Sequence, residues 1–259
     1  MTLAASPSTL IEEIRQYWNS HIHDLEVVRH EVGTLGFFED LDEYRFDKLR
    51  YLPRLVDFSG FAGKRLLEVG CGAGVDLVRF ARGGAIVTGI DLAEQSIALT
   101  KQNFALRGLS GEFLVMNGEA MDFADNSFDV VYAHGVLQYT ADAGKMIREI
   151  YRVLKPGGEA IMMVYNRHSW LRLLSKVMHV ALEHEDAPVL RVFSAGEFRK
   201  LLEGFREVRL VCERFPVRTR LHGGVKGILY NWLFVPAFSV LPKPLIRWSG
   251  WHIMAFARK

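Results

Sequence analysis

From Lys64 onward the chain alternates short apolar runs with amphipathic segments, and this alternation constrains its fold more than any other feature. Runs at 65–69, 85–90, 111–116, 130–134 and 159–165 have the length and apolar character of strands, and helices are predicted near 74–82, 93–107 and 142–153. Parallel strands need crossover connections, so this order implies a parallel sheet with helices on both faces. Beyond Tyr165 the pattern continues with helices at 170–182 and 195–203 and strands at 208–214 and 251–257. The expected class is α/β.

An extension precedes this core. Thr9-Leu10-Ile11-Glu12 has the form of a capping box, and Ile11, Ile14 and Trp18 share one helical face, which predicts a first helix over 9–18. From His21 to Pro53 the chain is aromatic and charged, with Gly33 and Gly36 interrupting it, so a loop and then a helix over about 42–52 are expected. Residues 1–61 are thus read as an amino-terminal helical extension, and 62–259 as one domain with insertions at about 166–205 and 214–250.

At 259 residues, 49% hydrophobic and 24% charged, the chain has the proportions of an ordinary globular protein with a sizeable core. Cys71 and Cys212 lie far apart in no spaced pattern, so neither a disulfide framework nor a thiolate zinc site is indicated, and a reducing compartment is expected. No basic-then-apolar leader is seen at residues 1–8, and the apolar stretch 228–241 contains Asn231 and Pro236 and is shorter than the roughly 20 residues of a spanning helix. A cytoplasmic location follows as an expectation. Charge is uneven: residues 214–259 hold eight Lys or Arg and no Asp or Glu, against a net +2 for the whole chain. Such a basic, aromatic segment suits an anionic substrate or a transient membrane-surface contact through 214–250, while the plainer reading is that its charges solubilise an apolar insertion. A homodimer interface would carry the same signature.

The chemistry is signalled by LLEVGCGAG at 66–74, where an apolar strand ends in Gly70-Cys71-Gly72-Ala73-Gly74 and a helix begins. Glycines permit a tight turn and close ligand approach, and a helix start offers unpaired N–H groups. The dinucleotide fingerprint G-x-G-x-x-G would need glycine at 75, where Val75 stands, and the spacing is instead E-x-G-x-G-x-G from Glu68. Four further segments follow at regular intervals: Gly89-Ile90-Asp91, Asn117-Gly118-Glu119, Asn126-Ser127-Phe128-Asp129 and Leu154-Lys155-Pro156-Gly157-Gly158.

Over about 62–165, these five ordered motifs resemble the class I S-adenosylmethionine-dependent methyltransferases, in the broad group that includes ubiquinone and menaquinone biosynthesis enzymes. The resemblance implies a Rossmann-like, doubly wound seven-stranded sheet, mostly parallel with an antiparallel carboxyl-terminal strand, plus helical lid elements. It implies S-adenosylmethionine as cofactor and methyl transfer to a small-molecule acceptor. Residue by residue, it casts Asp91 as the acceptor of both ribose hydroxyls, Leu92 against the adenine face, and Gly70 and Gly72 as admitting the methionine portion. Glu68 orients the turn or the amino group, Asn117 takes the adenine amine where many relatives have Asp, and Gly118 and Glu119 give backbone contact to the ring. The backbone of His134 meets the methionine part. Cys71, Gly74 and Leu92 also have plain structural readings, as small filler, helix packing and core.

Methyl transfer from a sulfonium is a displacement at carbon, so alignment is the main contribution of the protein. Where the acceptor carries a proton to be lost, His134 is the best-placed base in the sequence, with Tyr139, Tyr17 and His21 as further catalytic candidates; Trp18, His23, Tyr165 and His168 stand near. Arg45 or Arg50 would pair with the cofactor carboxylate. Trp232, Phe234, Phe238, Leu241 and Trp248 suggest an acceptor lid and a partly apolar acceptor. Two rivals stand beside this reading: a nicotinamide-dependent oxidoreductase, and a cofactor-binding partner protein without turnover. Nucleic acid is not expected as a partner, since His134-Gly135-Val136-Leu137 stands where an Asn-Pro-Pro-Tyr-like segment would be. No metal is expected either, the cluster 183–186 reading as a solvated turn.

Overall fold

The computed structural model describes residues 7–179, 182, 184–218, 224–242 and 246–259. Seven strands form one sheet: β1 (Arg65–Val69), β2 (Ile86–Asp91), β3 (Glu112–Val115), β4 (Phe128–His134), β5 (Leu154–Tyr165), β6 (Arg206–Glu213) and β7 (His252–Arg258). Their order is β3-β2-β1-β4-β5-β7-β6, with β1 to β5 parallel and β7 antiparallel to both β5 and β6. The fold class and the antiparallel last strand are as expected. The predicted strands lie within one to five residues of those found. The largest difference is in β5, which starts at Leu154 because a bulge lets Phe128 pair with Leu154 and Val130 with Glu159.

The helices are α1 (Pro7–Ser20), α2 (Leu35–Lys48), α3 (Leu52–Leu55), α4 (Val75–Arg82), α5 (Glu94–Leu106), α6 (Ala143–Val153), α7 (Trp170–Met178) and α8 (Ala195–Leu201). The central strands are buried on both faces, and their alternating side chains divide the core between the two sides of the sheet. Leu67, Val131 and Ala133 pack against α6 and α8, whereas Leu66, Val130 and Tyr132 pack against α4 and α5. On α6, Met146, Ile147, Ile150 and Val153 are all buried, at about 1.5–3 kcal/mol each for the larger side chains. Asp142 caps that helix by accepting from Lys145 N at 3.0 Å.

Two amino-terminal expectations change. Helix α1 opens at Pro7, so Thr9 lies inside it rather than at its cap. Helix α2 begins at Leu35, not near 42, because Thr34 Oγ1 accepts from Phe37 N at 3.3 Å and Phe37, Phe38 and Leu41 then bury against Leu99 of α5. Gly36 sits within that helix, close to the His30 ring.

Candidate active site

Strand order reverses between β1 and β4, and the carboxyl ends of these two strands open a crevice there. Gly70 N and Cys71 N both donate to Ile90 O, at 2.8 and 3.0 Å, which ties the turn after β1 to the end of β2. The turn needs glycine for two different reasons. Gly70 has φ +70° and a Cβ there would sit 2.7 Å from Val136 Cγ2, while Gly72 has φ +54° and its Cβ position is open space. Gly74, the third, is the amino cap of α4 against Thr100 and does not line the crevice, so its part is packing.

A cavity of about 190 Å³ occupies the crevice. Its walls include Glu68 of β1, Gly70, Cys71 and Gly72 from the turn, Asp91 and Leu92 at the end of β2, Asn117, Gly118 and Glu119 after β3, His134 at the end of β4, and Tyr139 beyond it. Its roof is α1, whose Ile11, Ile14 and Trp18 face downward, followed by His21 and His23. Arg15 and Asn19 both hydrogen-bond Glu94 of α5, and this holds the roof in place.

Asp91 uses one lone pair of each oxygen on the turn: Oδ1 accepts from Ala93 N at 2.9 Å and Oδ2 from Gly72 N at 3.0 Å. Burial raises its carboxyl above the usual range, and these backbone donors oppose the rise. Asn117 Oδ1 accepts from Glu119 N at 2.9 Å, so half of the acceptor capacity predicted for it is spent on its own turn. Glu119 Oε1 in turn accepts from Asp142 N, which joins the loop after β3 to the start of α6. Glu68 is buried with Oε2 unpartnered, and burial, with the charge of Asp76 next, pushes it well above the ordinary carboxylate range. Cys71 is a filler, its thiol 3.7 Å from Thr100 Oγ1 and pushed up by burial.

Beneath the His134 side of the crevice runs a polar network that the sequence did not signal. Arg45 of α2 grips Asp76 of α4 with both nitrogens, Nε at 2.5 Å, and Tyr132 OH donates to the same carboxylate at 2.7 Å. Burial alone would raise Asp76, but the Arg45 charge and hydrogen bonds hold it below the usual value. Arginine only donates, so its 3.2 Å contact to His134 Nδ1 makes that nitrogen the lone pair and Nε2 the protonated one. Nε2 then donates to Tyr51 OH at 3.0 Å. From the far side, Arg214 donates to His252 Nε2 at 3.1 Å, leaving His252 Nδ1–H to donate to Tyr51 OH at 2.5 Å. Tyr51 accepts from both imidazoles, and its own proton points at Met254 Sδ, 4.0 Å away. Burial, reinforced by Arg45, pushes His134 down to about 3. Its ring is thus neutral, with both nitrogens occupied.

At the roof, aromatic and imidazole rings converge. Tyr139 lies 5.1 Å from Trp18 ring to ring, and its hydroxyl donates to Tyr165 OH at 3.3 Å. Tyr17 lies outside the cavity wall, stacked 4.0 Å on His21 and donating to Asp186 at 3.0 Å beside His184. A carbonyl can only accept, so the 2.8 Å contact of His21 Nδ1 to Tyr17 O protonates Nδ1 and leaves the lone pair on Nε2. Arg50 pairs with Asp47 on the surface and His168 does not line the cavity. Asp76, Tyr51 and His252 escaped the sequence reading; only the acidic residue in the first turn of α4 was visible, and it reads there as a plain dipole partner.

Comparison with known proteins agrees with this geometry. The family described as methyltransferase domain matches residues 67–162. The ubiquinone biosynthesis O-methyltransferase of Pseudomonas fluorescens (strain Pf-5) is 36% identical over 110 residues, 42% of this chain and 47% of that protein. That of Pseudomonas putida (strain F1) is 36% identical over 141 residues, 54% of this chain and 60% of the relative, so the chain spans about half the length of the curated relatives it matches. Magnesium protoporphyrin IX methyltransferase of Synechocystis PCC 6803, solved with bound S-adenosylhomocysteine, superposes with a TM-score of 0.62 at 16% identity, covering 95% of this chain and 98% of that one. The (4+2)-cyclase SpnF gives 0.57 at 22% identity over 99% and 97%. Residues 67–162 span the first five strands and carry the glycine turn and Asp91, so the likeness to methyltransferase domains falls on the residues that build the crevice.

Proposed function

We propose that this chain transfers the methyl group of S-adenosylmethionine to a small, partly apolar acceptor, and that the carrying observation is a single roofed cavity joining the glycine turn and Asp91 to the aromatic roof. Three features support the cofactor's fit. Asp91 lines the cavity with a carboxylate anchored by backbone N–H groups of the turn, placed to accept from a pair of ribose hydroxyls. Glu68 Oε2 is a buried acceptor without a partner, suited to an ammonium directly or through water. The open Cβ position of Gly72 leaves room for backbone approach. When bound, the cofactor supplies an electrophilic methyl carbon on a sulfonium.

The residues of this chain then align the acceptor, exclude water and receive a proton. Helix α1 closes the cavity, and Trp18 and Tyr139 offer ring faces to a cation. In-line placement contributes about 7–11 kcal/mol in the best cases, so the roof matters as much as any single base. His134, neutral and held at both nitrogens, positions the wall. Where the acceptor has a proton to lose, His21 is the group we assign to take it, because Nε2 carries its lone pair and the ring lines the cavity. Ile11, Ile14 and Val136 on the same walls favour an apolar acceptor body, and the curated relatives, being O-methyltransferases, favour an oxygen nucleophile.

The test is an acceptor screen read by S-adenosylhomocysteine release and by the mass gain of one methylene in the product, with Asp91→Ala as the blank. A cyclase shares this fold, so release and not binding is the deciding readout. Turnover by the parent that falls with His21→Asn at unchanged cofactor affinity supports the reading. S-adenosylhomocysteine binding without release across phenols, carboxylates, amines and thiols would instead leave a cofactor-binding partner protein.

A further inference from the structure

The insertion after β6 forms an almost continuous helical stretch, α9 (Gly224–Ile228), a π-helical segment (Leu229–Phe234) and α10 (Val235–Ser239). Its inner face is aromatic. Tyr230, Phe234 and Phe238 lie against Trp170 of α7, and Phe238 also meets Phe215. Its outer face is apolar as well: Val225 is 73% exposed, Trp232 69%, Leu233 66% and Val240 80%, with Ile228 beside them. On α7, Leu173 and Val177 add two more exposed apolar side chains one helical turn apart. A surface helix that is apolar all round calls for a cover, because the aqueous side gains nothing from these groups.

We propose that this face lies on an anionic lipid surface. Charge selects that occupant. Lys176 is exposed between Leu173 and Val177, Arg218 lies 4.7 Å over the exposed Trp232 ring, and Arg247 flanks the exposed Trp248. No Asp or Glu occurs anywhere in 214–259. A twofold contact with a second copy would press this basic face against itself, whereas an anionic bilayer complements it. Apolar side chains with a Trp and flanking cations are what a helix lying in the headgroup region presents. No described helix is long and apolar enough to cross a membrane, so the contact is a surface one. The patch also joins the candidate active site. Trp170 Nε1 donates to Arg214 O at 2.8 Å, and the chain after α7 brings His184 and Asp186 to Tyr17 on the roof helix. A surface-bound protein would thus hold its cavity roof near the bilayer, where an apolar acceptor dissolves.

The experiment is co-sedimentation of the full chain with vesicles of phosphatidylcholine alone or mixed with phosphatidylglycerol, with tryptophan emission followed in parallel. Binding to the mixed vesicles with a blue shift is expected, and weak or no binding to phosphatidylcholine. The double variant Trp232→Glu/Leu233→Glu should bind about a hundredfold less tightly. Lys176→Glu/Arg218→Glu should lose the preference for anionic lipid, and Ile86→Glu, at the opposite end of the sheet, should bind as the parent does. Circular dichroism and S-adenosylhomocysteine affinity report whether each variant is folded, and because the binding readout needs no turnover, it stands apart from the proposed activity. Three results would overturn the proposal: no sedimentation with either vesicle, equal binding to both that ignores charge reversal, or a lipid-free dimer that Trp232→Glu dissociates, which would make a second copy the cover.

Discussion

Asp91 gives the sharpest test of the proposed site. Its oxygens accept backbone N–H groups of the turn, and the carboxylate lines the cavity where a pair of ribose hydroxyls would donate to it. Two hydrogen bonds to a carboxylate contribute about 1.5–3 kcal/mol each, so their loss should cost roughly 3 kcal/mol or more, a factor of about a hundred in Kd. Asp91→Asn keeps the shape but replaces one acceptor oxygen by an NH2 group that only donates and so faces either the Gly72 or the Ala93 N–H. Titration calorimetry of S-adenosylhomocysteine into parent and variant reads the ratio directly. Urea unfolding of both proteins separates a lost ligand contact from a loosened turn. If the folded variant binds within twofold of the parent, the ribose lies elsewhere and the cofactor placement is wrong.

Three further outcomes follow from the buried groups. Tyr51→Phe removes the shared acceptor of His134 Nε2–H and His252 Nδ1–H; at about 1–3 kcal/mol for each stranded donor, denaturant melting should show a loss of several kcal/mol, and a change under 1 kcal/mol would refute the proton assignment. His134, held near 3 in the fold against about 6.5 unfolded, stays neutral while the unfolded ring protonates, so stability should fall as pH drops through that window by about 1.4 kcal/mol per unit. His134→Asn should abolish that share of the acid slope and leave the shape of the activity profile above pH 6.5 unchanged. Glu68 has the opposite sign: its raised carboxyl binds a proton more tightly folded than unfolded, so it lowers stability as pH rises from about 4.3 through its native value. Glu68→Gln should leave the ligand-free protein as stable or more so at neutral pH, while weakening S-adenosylhomocysteine by about tenfold; equal affinity would remove Glu68 from the binding set.

Much of this was legible because it is local. Short apolar runs divided by amphipathic stretches imply strands, crossovers and hence a parallel sheet, and the glycines at 70, 72 and 74 mark a tight turn with positive φ. The end of β2 at Asp91 was legible from the same pattern, and its expected role came from the resemblance. Position 134 was legible too, but its role was not. Its sequence neighbours say nothing of Arg45, Tyr51 and Asp76, which come from α2, from the turn between α2 and α3, and from α4.

The sequence by itself therefore determined the sheet, the glycine turn and the acidic end of β2, since each depends on residues within a few positions of one another. Tertiary structure alone decided that α1 roofs the cavity, that Tyr51 accepts hydrogen bonds from two imidazoles 118 residues apart (252 against 134), and that His134 is a held wall. The physical reason is that protonation and burial are properties of neighbours in space, and the groups that fix them here are brought together by chain crossings that no local pattern encodes.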